Sequence, residues 1–438
     1  MAAIIATRMA AYQGWQRHVL SPQPEPLGHY VGAVTHGPLG RRFKQWFWRP
    51  PRPHGESVVD RTVSFLELFY DLVYVAVIAQ AADHLAEHPS GRGFAEFAVV
   101  FTMIWIAWVN GSLYLELHGR EDGRTRSVVF VQMGLLALLA VFTANATDDS
   151  GAGFAVVYAT FLAVMTWLWD TVRRQDRRDR PEFTADTGLY VLGMGASVMV
   201  VLASALLPDD PRLALWAVFG IAWVAGIALA GRARTLLTQA MPPTDSLVER
   251  LALFTIIVLG EVIVGVVDGL STPDRDTRIT VTGMIALVIG FGFWWLYFDL
   301  IGRRPPRRDG PALTTWLLSH LPITLSIAAT GAATVSLIGH ADDPRTPAGT
   351  AHLLAGAVAL GLLALTVAER SLVDAERLAD VYRPLAPAML GGAGAAIAIG
   401  WLRPAPWLLA LLLVAVLSVL WSFAVNRFLH ADAWAPGS

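Results

Sequence analysis

Twelve apolar stretches dominate this chain, and each is long enough to cross a lipid bilayer. A membrane-spanning helix needs roughly 20 consecutive apolar residues, because backbone polar groups inside lipid must be hydrogen-bonded within the helix. Charged residues make up only 16% of the chain and collect between the stretches. The sequence therefore predicts an all-α polytopic membrane protein with about twelve transmembrane helices, at approximately 64–86, 94–117, 127–145, 151–172, 186–207, 211–230, 247–269, 279–301, 311–338, 348–368, 384–402 and 404–428.

Two of these stretches have an unusual composition. The ninth contains Pro322 and is long enough to be broken or tilted. The eleventh is rich in small residues around Gly391 and Gly394. Small residues let helices approach closely in lipid, so we expect the eleventh helix to be a packed interior span.

The distribution of basic residues indicates which loops lie on which side of the membrane. If the N-terminus is cytoplasmic, 27 of the 33 Lys and Arg residues fall in cytoplasmic segments and 6 in outer loops. Such an asymmetry is what the positive-inside rule predicts. The first apolar run is broken by Arg8, which is not typical of a cleavable signal peptide. We therefore predict a multi-pass protein of the bacterial plasma (inner) membrane with both termini in the cytoplasm.

The two halves of the chain open with similar sequences. Ser64 and Glu67 begin the first span, and Ser246 and Glu249 begin the seventh with the spacing of a capping box. Six helices return the chain to the same side, so such a repeat would be parallel, in a six-plus-six arrangement. The predicted segments are a partly disordered cytoplasmic N-terminal extension (1–62), a first six-helix repeat (63–236), a second six-helix repeat (237–430) and a cytoplasmic tail (431–438).

Glu261 is the strongest candidate for function within a span. An ionisable group at membrane depth costs about 2.5–3.5 kcal/mol on insertion scales, so its presence calls for a role. Glu261 lies near the middle of the seventh span, and Gly260 and Gly265 leave room beside it for a helix, an ion or water. The alternative is a protonated or hydrogen-bonded carboxyl that packs between helices.

Asp71 and Glu67 lie one turn apart on the first span. Two such carboxylates repel unless a cation, a proton or an arginine lies between them. They therefore indicate a cation pathway, although Glu67 also fits a helix cap and Asp71 a salt bridge to an arginine. Arg250 shares a helical stripe with Glu261 and is a second candidate for a polar path. Its alternative is an arginine that snorkels to the membrane surface.

Several further polar residues are candidates of a weaker kind. His320 precedes Pro322 by two residues and fits either a proton relay or a hydrogen bond at a helix kink. Glu116 and Asp299 lie at span ends, where solvated or arginine-paired carboxylates are common. Together with Glu249, Gly260 and Gly265, these two carboxylates are assigned to structural or gating roles.

The sequence gives no indication of a catalytic centre. It has no cysteine, and it lacks the HExxH, GxxxxGK[ST] and GxSxG motifs. No cluster has the spacing of metal ligands, and a net charge of −2 does not suggest nucleic acid as a partner. We predict no catalytic residue, metal or cofactor, while an intramembrane enzyme built from scattered carboxylates stays open.

Two segments resemble the signature motifs of the bacterial low temperature requirement A (LtrA) family. They are FLELFYDLVYV at 65–75 and ERLALFTIIVLGE at 249–261. The resemblance implies a multi-span fold over nearly all of the chain after residue 62. The family's name refers to growth in the cold and does not settle an activity. The implied motif positions are Glu67, Asp71, Glu249, Arg250 and Glu261.

A fainter likeness concerns a twelve-span, two-repeat family of potassium channels. Its R-x-x-x-F-S-D opening is similar to Arg250, Phe254 and Thr255 in one half of this chain and to Phe69-Tyr70-Asp71 in the other. The motif is incomplete in each half, since the Arg and the Asp occur in different halves.

Together these features predict a transporter or channel for a cation or proton that uses intramembrane carboxylates. The alternative is a non-transporting membrane sensor or scaffold, or an intramembrane enzyme, in envelope adaptation to cold. The predicted partners are the lipid bilayer and a small cation or proton, and a homodimer is left open.

Overall fold

A computed structural model describes residue 47 and residues 49–56, 61–120, 122–233, 244–271 and 276–431. Most of the predicted extension (1–62), the predicted boundary between the halves and most of the tail lie outside the described residues. Within the described residues the fold is all-α, and twelve helices are long and apolar enough to span a membrane. They are α1 (Phe65–Glu87), α2 (Gly91–His118), α3 (Gly123–Thr143), α4 (Gly151–Asp179), α5 (Thr184–Ser204), α6 (Asp209–Ala233), α7 (Asp245–Leu270), α8 (Thr277–Leu300), α9 (Gly310–Gly339), α10 (Ala348–Glu369), α11 (Ala379–Leu402) and α12 (Pro406–His430).

Helix α9 lies at the centre of the bundle. It packs against α10, α7, α1, α6 and α8, and most of its residues are buried. It runs without a break through Pro322, so of the two expected alternatives, a broken or a tilted ninth span, the broken one is wrong. Helices α2 and α10 are also mostly buried. The core therefore lies around α9, and α1 and α7 reach it directly.

The peripheral helices turn large apolar side chains outward. Leu189 and Met199 on α5 and Ile221 and Leu229 on α6 are exposed. Soluble proteins rarely expose apolar patches this extensive, whereas a surface that faces lipid requires them. The outer surface therefore agrees with a membrane-spanning bundle.

Helix α11 belongs to this periphery, and the prediction of a packed interior span is wrong. Most of its residues are not buried. Gly391 and Gly394 have no neighbour in reach of an added methyl group, and only Gly392 in this run packs closely, against Leu420. Small residues permit a close approach between helices, but here only one face of the run meets another helix.

The starts of α1 and α7 differ in detail. At α1, Ser64 and Glu67 form the predicted capping box, with each side chain bonded to the other residue's backbone N–H. At α7 the cap is Thr244, whose hydroxyl accepts from the backbone N–H of Leu247. The predicted cap by Ser246 is wrong, because its hydroxyl donates instead to Glu116 Oε1 at 2.7 Å.

The same helix pairs pack against each other in the two halves. The contacts α1–α3, α2–α6 and α4–α5 in the first half correspond to α7–α9, α8–α12 and α10–α11 in the second. The halves also differ, since α5 touches α6 only slightly whereas α11 and α12 pack extensively, and α8 packs against α9 more than α2 does against α3.

Helices α7 and α9 cross closely at two glycines. A methyl group on Gly265 would lie 2.8 Å from the carbonyl oxygen of Gly331, and one on Gly331 would lie 3.1 Å from the backbone of Glu261. Gly260 has open space at the corresponding position. Gly265 therefore sets the distance between the two helices, and Gly260 does not.

We expect Gly265→Ala to lower the free energy of unfolding by about 1–3 kcal/mol, because the added methyl overpacks the crossing. Gly260→Ala is the matched control and should be neutral or stabilising, because Ala favours a helix over Gly and its methyl meets nothing. Unfolding in mixed micelles, followed by circular dichroism, measures both. Equal effects of the two variants would contradict this account of the crossing.

Candidate functional site

A buried ion pair joins the first helices of the two halves. Arg250 on α7 donates from Nη2 to Asp71 Oδ1 on α1 at 3.1 Å, and both side chains are 0% exposed. The indole N–H of Trp108 on α2 donates to the same oxygen at 2.8 Å. The expectation that Arg250 snorkels to the surface is wrong, because a carboxylate inside the bundle holds it. Three helices therefore meet at one carboxylate.

The ion pair continues into a larger charged network. Arg250 Nη1 lies 3.8 Å from Glu67 Oε1, so its guanidinium sits between the two carboxylates of α1. Arg61 pairs with both Glu67 and Glu116. Thr244 donates to Glu116 Oε1 at 2.7 Å. The predicted repulsion within α1 is thus relieved by arginines, and Glu67 acts in this network as well as in its cap.

Hydrogen bonding at the centre of this network is incomplete. Asp71 Oδ2 and the Nε and Nη1 atoms of Arg250 have no hydrogen-bond partner among the described residues. Buried polar atoms without a partner are uncommon in folded proteins, and a buried ion pair needs further hydrogen bonds to offset its desolvation. The pair is therefore held by charge more than by a full set of hydrogen bonds.

An aromatic layer lies between the ion pair and the middle of α7. The rings of Trp108 and Phe254 stack with centroids 3.9 Å apart. Phe254 is one turn beyond Arg250 on the stripe that leads to Glu261. Trp108 therefore contacts both the ion pair and Phe254, which precedes Glu261 by two turns on α7.

Glu261 lies beyond this layer and has an unusual environment. Its side chain is 4% exposed, and Oε2 has no hydrogen-bond partner among the described residues. Asp83 on α1 and Asp268, two turns further on α7, are close enough to act on it electrostatically. Both are exposed. Glu261 is thus the buried member of a group of three carboxylates.

The remaining predicted residues lie apart from these two levels. His320 is buried, and its ring nitrogens bond to the Tyr297 hydroxyl at 3.0 Å and to the carbonyl of Trp316 at 2.8 Å. Asp299 accepts from the indole of Trp421 at 2.8 Å. Glu249 is exposed. None of the three joins Glu261 or the Asp71–Arg250 pair.

Four residues of the site were not identified from the sequence. Arg61 precedes the first span, Trp108 fits a packing role, and Asp83 and Asp268 lie near span ends. Only Asp268 could have been identified from the sequence, because it lies two helical turns from Glu261 in the same span. Among the described residues no group of three or more His, Cys, Asp or Glu side chains has the geometry to hold a metal ion.

We expect Arg250→Met to lower the free energy of unfolding by roughly 3–5 kcal/mol, because it leaves Asp71 buried without a cation. Adding Asp71→Asn should recover part of this loss, because the unpaired charge is then gone. Unfolding in mixed micelles measures the cycle of single and double variants.

The control for this cycle is the exposed pair of Arg92 and Asp210, whose atoms are 2.9 Å apart. Asp210→Asn should cost only about 0–1 kcal/mol, since exposed ion pairs contribute little. Additive losses in the double variant of Asp71 and Arg250 would show that the two side chains are not coupled.

Comparison with known proteins places this site within a family. The sequence profile of the bacterial low temperature requirement A protein family matches residues 62–422, a range that contains Asp71, Arg250 and Glu261. An uncharacterised protein, RA0937, of Rhizobium meliloti (strain 1021) is 26% identical over 258 residues, which are 56% of this chain and 60% of that protein. The chain belongs to the bacterial low temperature requirement A protein (LtrA) family.

Proposed function

We propose that this LtrA protein is a transporter or channel for a small cation or proton, and that Glu261 lies on the pathway. The observation that carries the proposal is the buried Glu261 carboxyl, which has no hydrogen-bond partner for Oε2 among the described residues. An ionisable side chain inside a membrane bundle is costly. A carboxyl that stabilises no neighbouring helix by hydrogen bonding is free to bind a cation or a proton.

The neighbouring charges favour a cation as the moving species. Asp83 and Asp268 are exposed and act on Glu261 electrostatically. Rings of acidic side chains attract cations and repel anions in channels. The exposed carboxylates would concentrate cations, and the buried carboxyl would accept them one at a time.

The ion pair and the aromatic layer would close the opposite end of the pathway. Asp71 and Arg250 are held with an incomplete set of hydrogen bonds, and Trp108 stacks on Phe254 next to them. Opening would separate α1 from α7 and hydrate the unsatisfied atoms of the pair. In this proposal the structure represents the closed state of a two-state equilibrium.

We also propose that the two halves are a parallel six-plus-six repeat. The matching helix pairs support it, because α1–α3, α2–α6 and α4–α5 recur as α7–α9, α8–α12 and α10–α11. In transporters built from repeats, substrates bind at the repeat interface near the midplane. Glu261 lies on α7, which meets α1 at such an interface.

A second candidate function is a non-transporting membrane sensor or scaffold, or an intramembrane enzyme. The observation in its favour is the burial of Asp71 and Arg250, both 0% exposed. In that case the pair is a fixed clamp between helices, and Glu261 is a packing carboxyl.

Flux of H⁺, K⁺ and Na⁺ in proteoliposomes tests the proposal. The wild type should carry at least one of these ions, and Glu261→Gln should reduce that flux to the level of protein-free liposomes. Glu369→Gln is the matched control, because Glu369 is also buried with an unpartnered Oε2 but lies at the end of α10. This variant should keep the wild-type flux.

Two outcomes of the flux measurement count against the proposal. Wild-type flux in folded Glu261→Gln would remove this carboxyl from the pathway. No flux of any of the three ions with folded wild-type protein would favour the second candidate function.

The orientation is a separate proposal, supported by the distribution of basic residues. We propose that both termini are cytoplasmic in the bacterial inner membrane, with lipid around the bundle. A homodimer stays a prediction. With both termini in the cytoplasm, the loop between α3 and α4 would lie on the outer side of the membrane. The loop between α8 and α9 would lie on the cytoplasmic side.

Cysteine labelling tests this orientation. The wild-type protein itself takes up no label, because the chain contains no cysteine. Asp149→Cys and Arg308→Cys place single thiols at exposed positions in these two loops. A membrane-impermeant maleimide should label the first variant in intact cells and the second only after permeabilisation. The reverse pattern would invert the topology.

A further inference from the structure

A long crevice opens between α5 and α6, away from the proposed pathway. Its volume is about 650 Å³, and α2, α4 and α9 close its back. Its lining on α5 runs from Asp186 to Val200, which is roughly 21 Å of helix. Since the hydrocarbon core is about 30 Å thick, the crevice extends over more than one leaflet of a bilayer.

Within the described residues, the packing that opens this crevice differs between the two halves of the chain. It exists because α5 and α6 touch only slightly. The corresponding helices α11 and α12 pack extensively, with Gly392 against Leu420. The open space is therefore not a general consequence of this helix arrangement.

The walls of the crevice match an alkyl chain. They are almost entirely apolar, and its mouth adjoins the outward-facing apolar side chains of α5 and α6. The walls include Leu113, Leu189, Val218, Phe219 and Ile227. An alkyl chain gains little hydrophobic free energy when it moves from lipid into such walls. Selective binding must therefore come from polar groups in the crevice.

Two residues that line the crevice each carry a buried polar atom with unused hydrogen-bonding capacity. The Nδ1 atom of His54 lies 2.8 Å from Asp176 Oδ2. Because a carboxylate only accepts, Nδ1 carries a proton, and in the neutral form of the ring Nε2 is then an acceptor. This Nε2 and the indole N–H of Trp169 have no hydrogen-bond partner among the described residues. His54 is 2% and Trp169 4% exposed.

Several other polar side chains of the lining are already paired. The hydroxyl of Tyr190 donates to Asn110 Oδ1, and the indole of Trp223 donates to Ser197 Oγ at 3.0 Å. Among the described residues, the unpartnered atoms here are the indole N–H of Trp169, Nε2 of His54 and Nε2 of His118, whose ring packs against both of the others. A hydroxyl group complements the pair of Trp169 and His54, since it both accepts and donates.

We propose that the crevice between α5 and α6 binds a membrane lipid whose alkyl chain lies along the apolar walls and whose uncharged hydroxyl end is held by Trp169 and His54. The ligand comes from the surrounding bilayer, because the mouth of the crevice faces it. His54 precedes residues 62–422, which match the family, so the acceptor lies outside the family's matched range.

Photolabelling tests the site. The probe is hexadecanol with a diazirine on its alkyl chain, added to the purified full-length protein in detergent micelles. Peptide mass spectrometry should locate the label on α5 and α6, and unlabelled hexadecanol should compete for it. Label spread over all twelve helices without competition would overturn the site.

Two glycines of α5 provide a matched pair of variants. Both Gly193 and Gly195 have open space where a side chain would extend, but only Gly193 lines the crevice. Gly193→Leu should fill the crevice and abolish specific labelling, whereas Gly195→Leu should leave it unchanged. Gly226→Leu on α6 repeats the test from the other wall. Unchanged labelling in both filling variants would overturn the proposal.

The hydroxyl is tested by competition between matched compounds. The methyl ether of hexadecanol cannot donate to His54, and it should compete about tenfold more weakly, as expected for one lost buried hydrogen bond. In Trp169→Phe, hexadecanol itself should bind more weakly, and its advantage over hexadecane should shrink. Equal competition by hexadecanol, its ether and palmitic acid would overturn the assignment of the polar end.

Discussion

The buried ion pair between Asp71 and Arg250 constrains how the first helices of the two halves of this membrane protein meet. Each ion loses several kcal/mol of solvation when it is buried, so removal of either partner leaves a charge that the bundle cannot tolerate. Trp108 adds a hydrogen bond from α2, and Glu67 adds a second carboxylate beside the guanidinium. Because α1 and α7 share this pair, they can separate only if water or an ion replaces the lost partner. The position of the helices is thereby tied to the state of charge between them.

The two ends of α1 and α7 differ in their charge balance. Near the helix starts, Arg61 and Arg250 face Glu67, Asp71 and Glu116, so most of the negative charge is compensated. Further along the two helices, the three carboxylates of Asp83, Glu261 and Asp268 form no ion pair within the described residues. Arginines therefore compensate the carboxylates at one end, whereas no arginine or lysine of the described residues pairs with those at the other. Between the two ends lie the stacked rings of Trp108 and Phe254.

Local sequence rules predicted the positions of the helices well. They predicted less well which residues and helices pack against one another. The spans follow from the length of each apolar stretch, and the cap at Ser64 depends only on residues within four positions of it. The predicted cap at Ser246 was wrong because Glu116, on another helix, takes its hydroxyl. The predicted interior position of α11 was wrong for a similar reason. The glycines around Gly392 permit a close approach, but sequence alone does not say which face of the helix meets a neighbour.

The candidate site shows the same difference between what the local sequence predicts and what depends on packing between helices. Asp71, Arg250 and Glu261 were identified because charge is expensive in lipid, whereas Trp108 carries no charge and has the appearance of ordinary packing. Neither half contains a complete arginine and aspartate motif, since Arg250 belongs to one half and Asp71 to the other. In the folded chain these two residues, 179 positions apart, form one hydrogen-bonded pair. Each half therefore supplies what the other lacks, and a single compensated pair forms only when the two halves are assembled.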